Sequence, residues 1–381
     1  MEKRFALKLI IVAMTLLGAI AVINRVVDPF YYYRDLEIKG INQFKPKAGR
    51  YERYTKPALL IQKHPNALIF GNSISEIAFN PDNQYFNNSN SLQGYNFSFA
   101  ESPWEKVFCH FQFALNHTSI KRALIGISLD NMSKIDCSAT SFYKSMGDIS
   151  HKDLLLTGSA LNASIQTIVE QKHKVNSHAP NGLYFYARNK GAVNERFRNS
   201  YKKYIETNQT CQKHSSELKS PSEKINLDGL IQLIDLAHQK NIELTIYIYP
   251  EHAYTLELEK LCGTLDLRWD KLKQLADALQ KPLQENNLQA WHFYGYNPIT
   301  TEFISDKSVY WQDSFHVNYE MGNLMLEDMY SKNPKRLGTP ITKNNISNGM
   351  THLMKQREIY LNKNSQGYEN FKNLLPENLT D

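Results

Sequence analysis

Cysteine is scarce in this chain, with four in 381 residues, at positions 109, 137, 211 and 262, and no two form a C-x-x-C pair. That spacing excludes a zinc ribbon, and the low count excludes a disulfide-dense mini-domain. No H-E-x-x-H, EF-hand or P-loop string occurs, so metal and nucleotide chemistry have no sequence support and no cofactor is expected. No internal repeat is visible. Charge of one sign is also lacking: 44 Lys and Arg against 38 Asp and Glu leave a net +6. Spread over this length, that excess does not call for nucleic acid. What the chain does have is apolar surface, at 42% of residues, with 22 Tyr and 18 Phe. Such content excludes general disorder, because burial of those groups offsets the entropy of ordering the backbone. The length suits one large domain or two smaller ones.

The N-terminus speaks to compartment. Lys3, Arg4 and Lys8 form a positive head, and residues 9–23 carry no charge before Asn24 and Arg25. With Phe5, Ala6, Leu7 and the stem of Lys8, the run approaches the ~20 residues that a bilayer-crossing helix needs. Residues 1–28 are therefore expected to be a transmembrane signal-anchor. The positive-inside rule keeps the head in the cytoplasm and exports the rest, to the periplasm or the extracellular side. A cleaved signal peptide is the competing reading, with Ala19-Ile20-Ala21 as a small-x-small site. In either case the four cysteines work in an oxidising compartment and are free to form two bridges of undetermined connectivity.

Residues 29–64, mixed, basic and Tyr-rich, look like a stalk. Beyond them a βα rhythm begins. The apolar run 67–70 ends at Gly71 and reads as a buried parallel strand. Residues 95–100 are a second strand candidate, and a helix follows from Pro103 to Ala114 with Ser102 as its N-cap. Further strands are expected at 123–129, 242–249 and 290–294. Further helices are expected at 227–239, at 256–285 with a break near Gly263, and at 319–330. Strands alternating with amphipathic helices predict an α/β fold, a doubly wound parallel sheet of about five strands, over 65–330. Residues 132–221 break the rhythm and are expected to be an inserted lobe. The tail, 331–381, is polar and basic, reads as peripheral, and has room for one helix near 350–361.

In an open α/β sheet, ligands bind beyond the carboxyl ends of the strands. The first strand delivers Gly71-Asn72-Ser73-Ile74-Ser75, where a Gly allows a sharp turn and Ser73 opens a helix. A serine hydroxyl there needs a base to become a nucleophile. Asp313-Ser314-Phe315-His316 precedes the last core helix, and its three-residue spacing lets a local turn bring the Asp carboxylate to the His Nδ1–H. The imidazole would then present Nε2 to Ser73.

These two blocks resemble those of the SGNH (GDSL-type) hydrolase superfamily, with a Gly-Asp-Ser-Leu-Ser-like string after the first strand and D-x-x-H before the final helix. The likeness spans about 65 to 330, with a divergent middle. It looks closest to the membrane-anchored branch containing alginate O-acetyltransferase-like and D-alanyl-lipoteichoic acid biosynthesis proteins. That branch often carries a Val-Asp-Pro-aromatic stretch after its anchor, here Val27-Asp28-Pro29-Phe30. The resemblance implies an SGNH/flavodoxin-like fold, with Ser73 as nucleophile, His316 as base and Asp313 as its orienter. It also implies an oxyanion hole built from the Ser73 N–H, a second-block position near Ala100-Glu101, where no Gly stands, and Asn131 after the third strand.

Membership further implies acyl transfer to a polysaccharide hydroxyl or to water, with an ester or glycan as substrate. An integral-membrane acyl donor protein would then be a partner. The alternative class is a non-catalytic glycan-binding or assembly module on the same fold. His252, at the end of the 242–249 strand, is a candidate substrate contact or a cap for the next helix. Residues 184–204 interleave basic and aromatic side chains, a pattern that fits an anionic glycan or headgroup or, more simply, a solvated face. Trp104 and Trp311 flank the two motif regions and read as core.

Overall fold

The structure is a computed structural model that describes residues 2–88, 91–139, 146, 150–185, 192–207, 211, 224–285, 287–334 and 336–376. In chain order the helices are α1 (Glu2–Val27), α2 (Glu52–Lys63), α3 (Ser73–Ala78), α4 (Trp104–His117), α5 (His151–Leu155), α6 (Gly158–Glu170), α7 (Val193–Thr207), α8 (Asp228–Gln239), α9 (Ala253–Leu261), α10 (Leu265–Glu285), α11 (Tyr319–Tyr330), α12 (Lys343–Lys363) and α13 (Ser365–Lys372). The strands are β1 (Ala67–Phe70), β2 (Gly94–Asn96), β3 (Arg122–Ile127), β4 (Glu243–Ile248), β5 (Leu288–His292) and β6 (Thr339–Pro340). The chain divides into two compact units, residues 1–64 with 137–186, and residues 65–136 with 187–381.

In the first unit, α1 is long and apolar enough to cross a membrane. Its 26 residues span about 39 Å at 1.5 Å per residue. Its C-terminal end is built into folded protein. Asn24 is 1% exposed, donates through Nδ2 to the Leu155 carbonyl at 2.8 Å and accepts from Ser164 Oγ at 2.7 Å. The Asp28 carboxylate accepts the backbone N–H groups of Tyr32, Tyr33 and Arg34 at 2.8, 3.1 and 3.0 Å. This closes the turn that follows α1 and gives the Val27-Asp28-Pro29-Phe30 stretch a structural role. The buried Lys45 ammonium donates to the Val27 carbonyl at the helix end and to the Asp28 carbonyl, which also accepts the Tyr31 N–H. Phe30 packs on Leu154, Ala160 and Ala163.

Residues 29–64 are therefore not an extended stalk. They carry α2 and fold together with 137–186. The expected lobe at 132–221 is not one body either: residues 137–186 belong to this unit, and 132–136 and α7 belong to the other.

The second unit holds a six-stranded sheet in the order β2-β1-β3-β4-β5-β6, parallel except for β6. Every residue of β1 is buried, as expected for a strand covered on both faces. Ala67 and Ile69 pack with Ala78 of α3 and with Met321 and Met325 of α11. Phe70 points the other way, because side chains alternate along a strand, and its ring lies 5.4 Å from that of Phe111 in α4. Helices thus cover both faces. The order reverses between β1 and β3, which makes the carboxyl ends of those strands the switch point where such sheets bind ligands.

The expected elements recur with small shifts. Residues 319–330 are α11 at both ends, and the break near Gly263 separates α9 from α10, with Gly263 at φ +70. Helix α4 starts one residue later than expected, with Pro103 rather than Ser102 at its N-cap. The tail differs most. Instead of lying at the periphery, it supplies edge strand β6 and helices α12 and α13, and Tyr360, Phe371 and Leu374 enter the main core. Arg357 of α12 holds the buried Glu257 carboxylate with its Nε and Nη2 at 2.8 and 2.7 Å. Cys211 and Cys262 form a disulfide, and Cys109 and Cys137 are also disulfide-bonded. Oxidised cysteines behind an apolar N-terminal helix suggest export.

Candidate active site

The turn after β1 is shaped by its own side chains. Gly71 sits at φ +152, and a Cβ there would lie 1.9 Å from Ser75 Oγ, so only Gly fits. Asn72 is the N-cap of α3, its side-chain oxygen accepting the Ile74 N–H at 2.9 Å. Asp would cap through the same oxygen, which gives the Asn-for-Asp difference at this position a physical reason. The Asn72 N–H donates to Tyr249 Oη at 3.0 Å, and that hydroxyl donates to the Gly126 carbonyl at 2.8 Å. Ser75 Oγ pairs with Tyr247 Oη at 2.6 Å. From behind, the buried Asn96 amide donates to the Ser75 and Phe79 carbonyls at 3.0 and 2.9 Å, closing the far end of α3. Ser73 is thereby fixed at the first helical position, where a helix leaves its own N–H without a partner.

The second block arrives on a braced loop. Trp311 and Val317 form an isolated antiparallel bridge, and Gln312 N–H donates to the His316 carbonyl at 2.8 Å. The Trp311 indole, 1% exposed, donates to the Ile299 carbonyl at 2.9 Å. The Glu302 carboxylate accepts the N–H groups of Val309, Tyr310 and Trp311. Asn318 caps α11 by accepting the Met321 N–H at 3.1 Å.

Between these braces, Asp313 Oδ1 accepts the backbone N–H groups of Phe315 and His316 at 2.9 and 2.8 Å. Its Oδ2 lies 2.8 Å from His316 Nδ1. His316 Nε2 lies 2.8 Å from Ser73 Oγ, across 243 residues of sequence. Burial acts to raise the Asp313 pKa, but the hydrogen bond and charge of His316 and the two backbone donors outweigh it. The carboxyl is held below its ordinary value of 3.8. The anion therefore persists beside the ring, fixing the tautomer with a proton on Nδ1 and a free lone pair on Nε2.

Two recesses meet at Ser73. The larger, of about 540 Å³, has walls from Tyr204, Glu251, Arg268, Lys271, Tyr294 and Phe315. The Arg268 guanidinium donates to Glu259 Oε2 at 2.6 Å and to Tyr294 Oη at 2.8 Å and pairs with Glu251 Oε1 at 2.8 Å. Burial, with Glu259 close by, raises the pKa of Glu251 despite the guanidinium. The smaller recess, of about 490 Å³, is lined by Glu101, Pro103, Trp104, Val107 and Met132 among others. Asn72, Ser128, Asp130 and Tyr249 border both.

The remaining expected site residues fall elsewhere. Ala100 lines neither recess, but its neighbour Glu101 lines the smaller one with φ at +52, a left-handed conformation where Gly is favoured. Asn131 is exposed, and its side-chain oxygen accepts the Asn226 N–H at 2.8 Å, so it ties two loops together rather than facing Ser73. His252 is fully buried and takes the cap role instead of the substrate one. Its Nδ1 accepts the Tyr254 N–H at 3.1 Å and its Nε2 donates to the Glu302 carbonyl at 2.9 Å. Burial lowers its pKa to about 3, so the ring is neutral.

The described residues of the 184–204 stretch have separate roles. Residues 186–191 lie outside the described residues, Phe197 and Tyr201 are core, Arg196 Nε donates to the Gln312 carbonyl at 2.6 Å, and Tyr204 joins the larger recess. Trp104 is buried yet borders the smaller recess. The bracing residues Asn96, Tyr247, Tyr249, Glu302 and Asn318 escape sequence reasoning. Only the alternation in 242–249, which puts Tyr247 and Tyr249 on one strand face, carried a signal. Compared with models of known protein families and with the curated proteins, the chain matches none.

Proposed function

We propose that this chain is an exported, membrane-anchored serine acyl-transfer enzyme with a doubly wound SGNH-type domain. The observation that carries the reading is the continuous relay Ser73 Oγ–His316 Nε2–Asp313, with both links at 2.8 Å. In the first half-reaction Ser73 Oγ attacks an ester carbonyl while its proton passes to His316 Nε2. The tetrahedral intermediate then expels the alcohol, which takes that proton, and the acyl group stays on Ser73. In the second, a hydroxyl gives its proton to His316 and attacks the acyl-serine, regenerating the free serine. The Ser73 N–H is the candidate donor for the developing oxyanion, and the Glu101 backbone, in the wall of the smaller recess, is the candidate for a second.

The two recesses on either side of Ser73 suit a reaction with two substrates. The larger, with Tyr204, Lys271, Arg268 and Tyr294 in its walls, offers stacking and hydrogen-bonding groups to a polyhydroxylated acceptor. The acceptor class we favour is a cell-envelope or secreted polysaccharide, with acetyl as the transferred group. Anchoring by α1 would set the site close to an integral-membrane acyl donor. The small-x-small site at 19–21 lies inside the unbroken helix α1, with Ile20 and Ala21 half-buried, which supports an uncleaved anchor.

The test is an active-site serine probe on the full chain. Wild type is expected to label stoichiometrically and Ser73→Ala to lose the label. Folded wild type that does not label would instead leave a glycan-binding module. Acetyl appearing on a sugar oligomer rather than as free acetate would select transferase over esterase.

A further inference from the structure

We propose that α6 is a second membrane-contacting element, an interfacial helix lying in the outer boundary of the bilayer beside the end of α1. The inference goes beyond the catalytic reading and rests only on α1 spanning the membrane. Helix α6 presents two opposite faces. Its inner face is made of small residues, Ala160, Ala163, Ser164 and Thr167, all buried, and it packs on α1. Small side chains at three- and four-residue spacing let two helices approach closely in a membrane setting. Asn24 fixes the level of that contact through Ser164.

On α1, Ile20 and Ala21 are half-buried while Asn24 and Val27 are buried, so the neighbouring helices sit against its last two turns. Counting ~20 residues of hydrocarbon-crossing helix from Phe5 ends near Asn24. Ile20 then lies about 6 Å inside that end. This is the depth of ~5–10 Å at which interfacial helices bury their apolar side.

The outer face of α6 carries the exposed Asn162 in its first half and is apolar and open in its second: Ile165 is 52%, Ile168 39% and Val169 59% exposed. In water three bare aliphatic side chains on one short helix would be unfavourable, but lipid accommodates them. The helix against which α6 packs is itself apolar and open, with Leu16 60% and Val22 62% exposed. Directly after α6, Lys172 and Lys174 are exposed, placed where their ammonium groups would reach anionic lipid phosphates. Direct packing on the membrane-length helix α1 and the flanking cations together point to lipid as the occupant.

The test uses the full chain in nanodiscs containing phosphatidylglycerol. A fluorescent amino acid replaces Val169 in one sample and Leu16 in another. Lipid-borne nitroxide and aqueous iodide serve as quenchers. Nitroxide is expected to remove about half the emission at both positions, with little effect of iodide, as for side chains seated within the acyl boundary. Iodide quenching at 169 with nitroxide quenching at 16 would put α6 in water and overturn the proposal. Shielding of 169 from both quenchers would mean that a protein covers the face, which also overturns it. Iodide quenching at 16 would instead remove the spanning reading of α1, and this inference with it.

Discussion

Replacing Asp313 with Asn tests the relay at the link where geometry makes the sharpest demand. Asp313 Oδ1 already accepts two backbone N–H groups, from Phe315 and His316. An Asn side chain must keep its oxygen on those donors, which turns its NH₂ toward His316 Nδ1. Two N–H groups cannot face each other, so the imidazole must move its proton to Nε2. That nitrogen can then no longer take the Ser73 proton, although every heavy atom stays near its present place. A tautomer error of this kind costs about 10⁴-fold in acylation, or about 5.5 kcal/mol of transition-state stabilisation. The assay is the rate of inactivation by a serine-directed probe, with hydrolysis of an activated acetate ester in parallel. An unchanged thermal midpoint would show that the fold is intact. A folded Asp313→Asn protein that reacts within about tenfold of wild type would refute the argument that Asp313 sets the tautomer. Because Asp313 titrates below 3.8 in the folded chain, it stays ionised above that pH. Its support of the ring is full there and is lost only as pH falls through the lowered value.

Gly71→Ala should destabilise the second unit by about 2–6 kcal/mol, because it combines a left-handed backbone with a Cβ driven into the buried Ser75. A thermal midpoint equal to wild type would contradict the close approach. The Cys211→Ser, Cys262→Ser double variant opens a link across 51 residues, and chemical denaturation should register a loss of about 4 kcal/mol. No measurable loss would mean that the bridge does little to restrict the unfolded chain. His252 carries an acid-stability signature. Its pKa falls from 6.5 unfolded to about 3 folded through burial, so the unfolded state binds the extra proton between those values. Stability should decline as pH drops through this window, by about 1.4 kcal/mol per pH unit for this group. His252→Gln should flatten that slope in melts across the same window, and an unaltered slope would assign it to other groups.

Local chemistry wrote much of this protein into its sequence. The charge-free N-terminal run, the apolar strand ending at Gly71, the Gly263 break and the span of α11 depend on propensity, hydrophobic period and turn residues, all of which act over a few neighbours. The D-x-x-H spacing likewise suffices to bring Asp313 onto His316, since the turn joining them is local. The meeting of Ser73 with His316 is different in kind, because it depends on where β1 and the loop before α11 sit around one sheet. So do the bracing roles of Asn96 and Tyr249, the diversion of Asn131 and His252 into structural hydrogen bonds, and the return of the tail as an edge strand and core helices. Residues 29–64 and 137–186 lie far apart in the chain and share no periodicity that announces their pairing. Burial of Phe30 against Leu154, Ala160 and Ala163 brings them together, and burial is a property of the folded surface rather than of any short window. Sequence determined the parts and their local geometry, while the positions of side chains remote along the chain were decided by which apolar faces could cover one another.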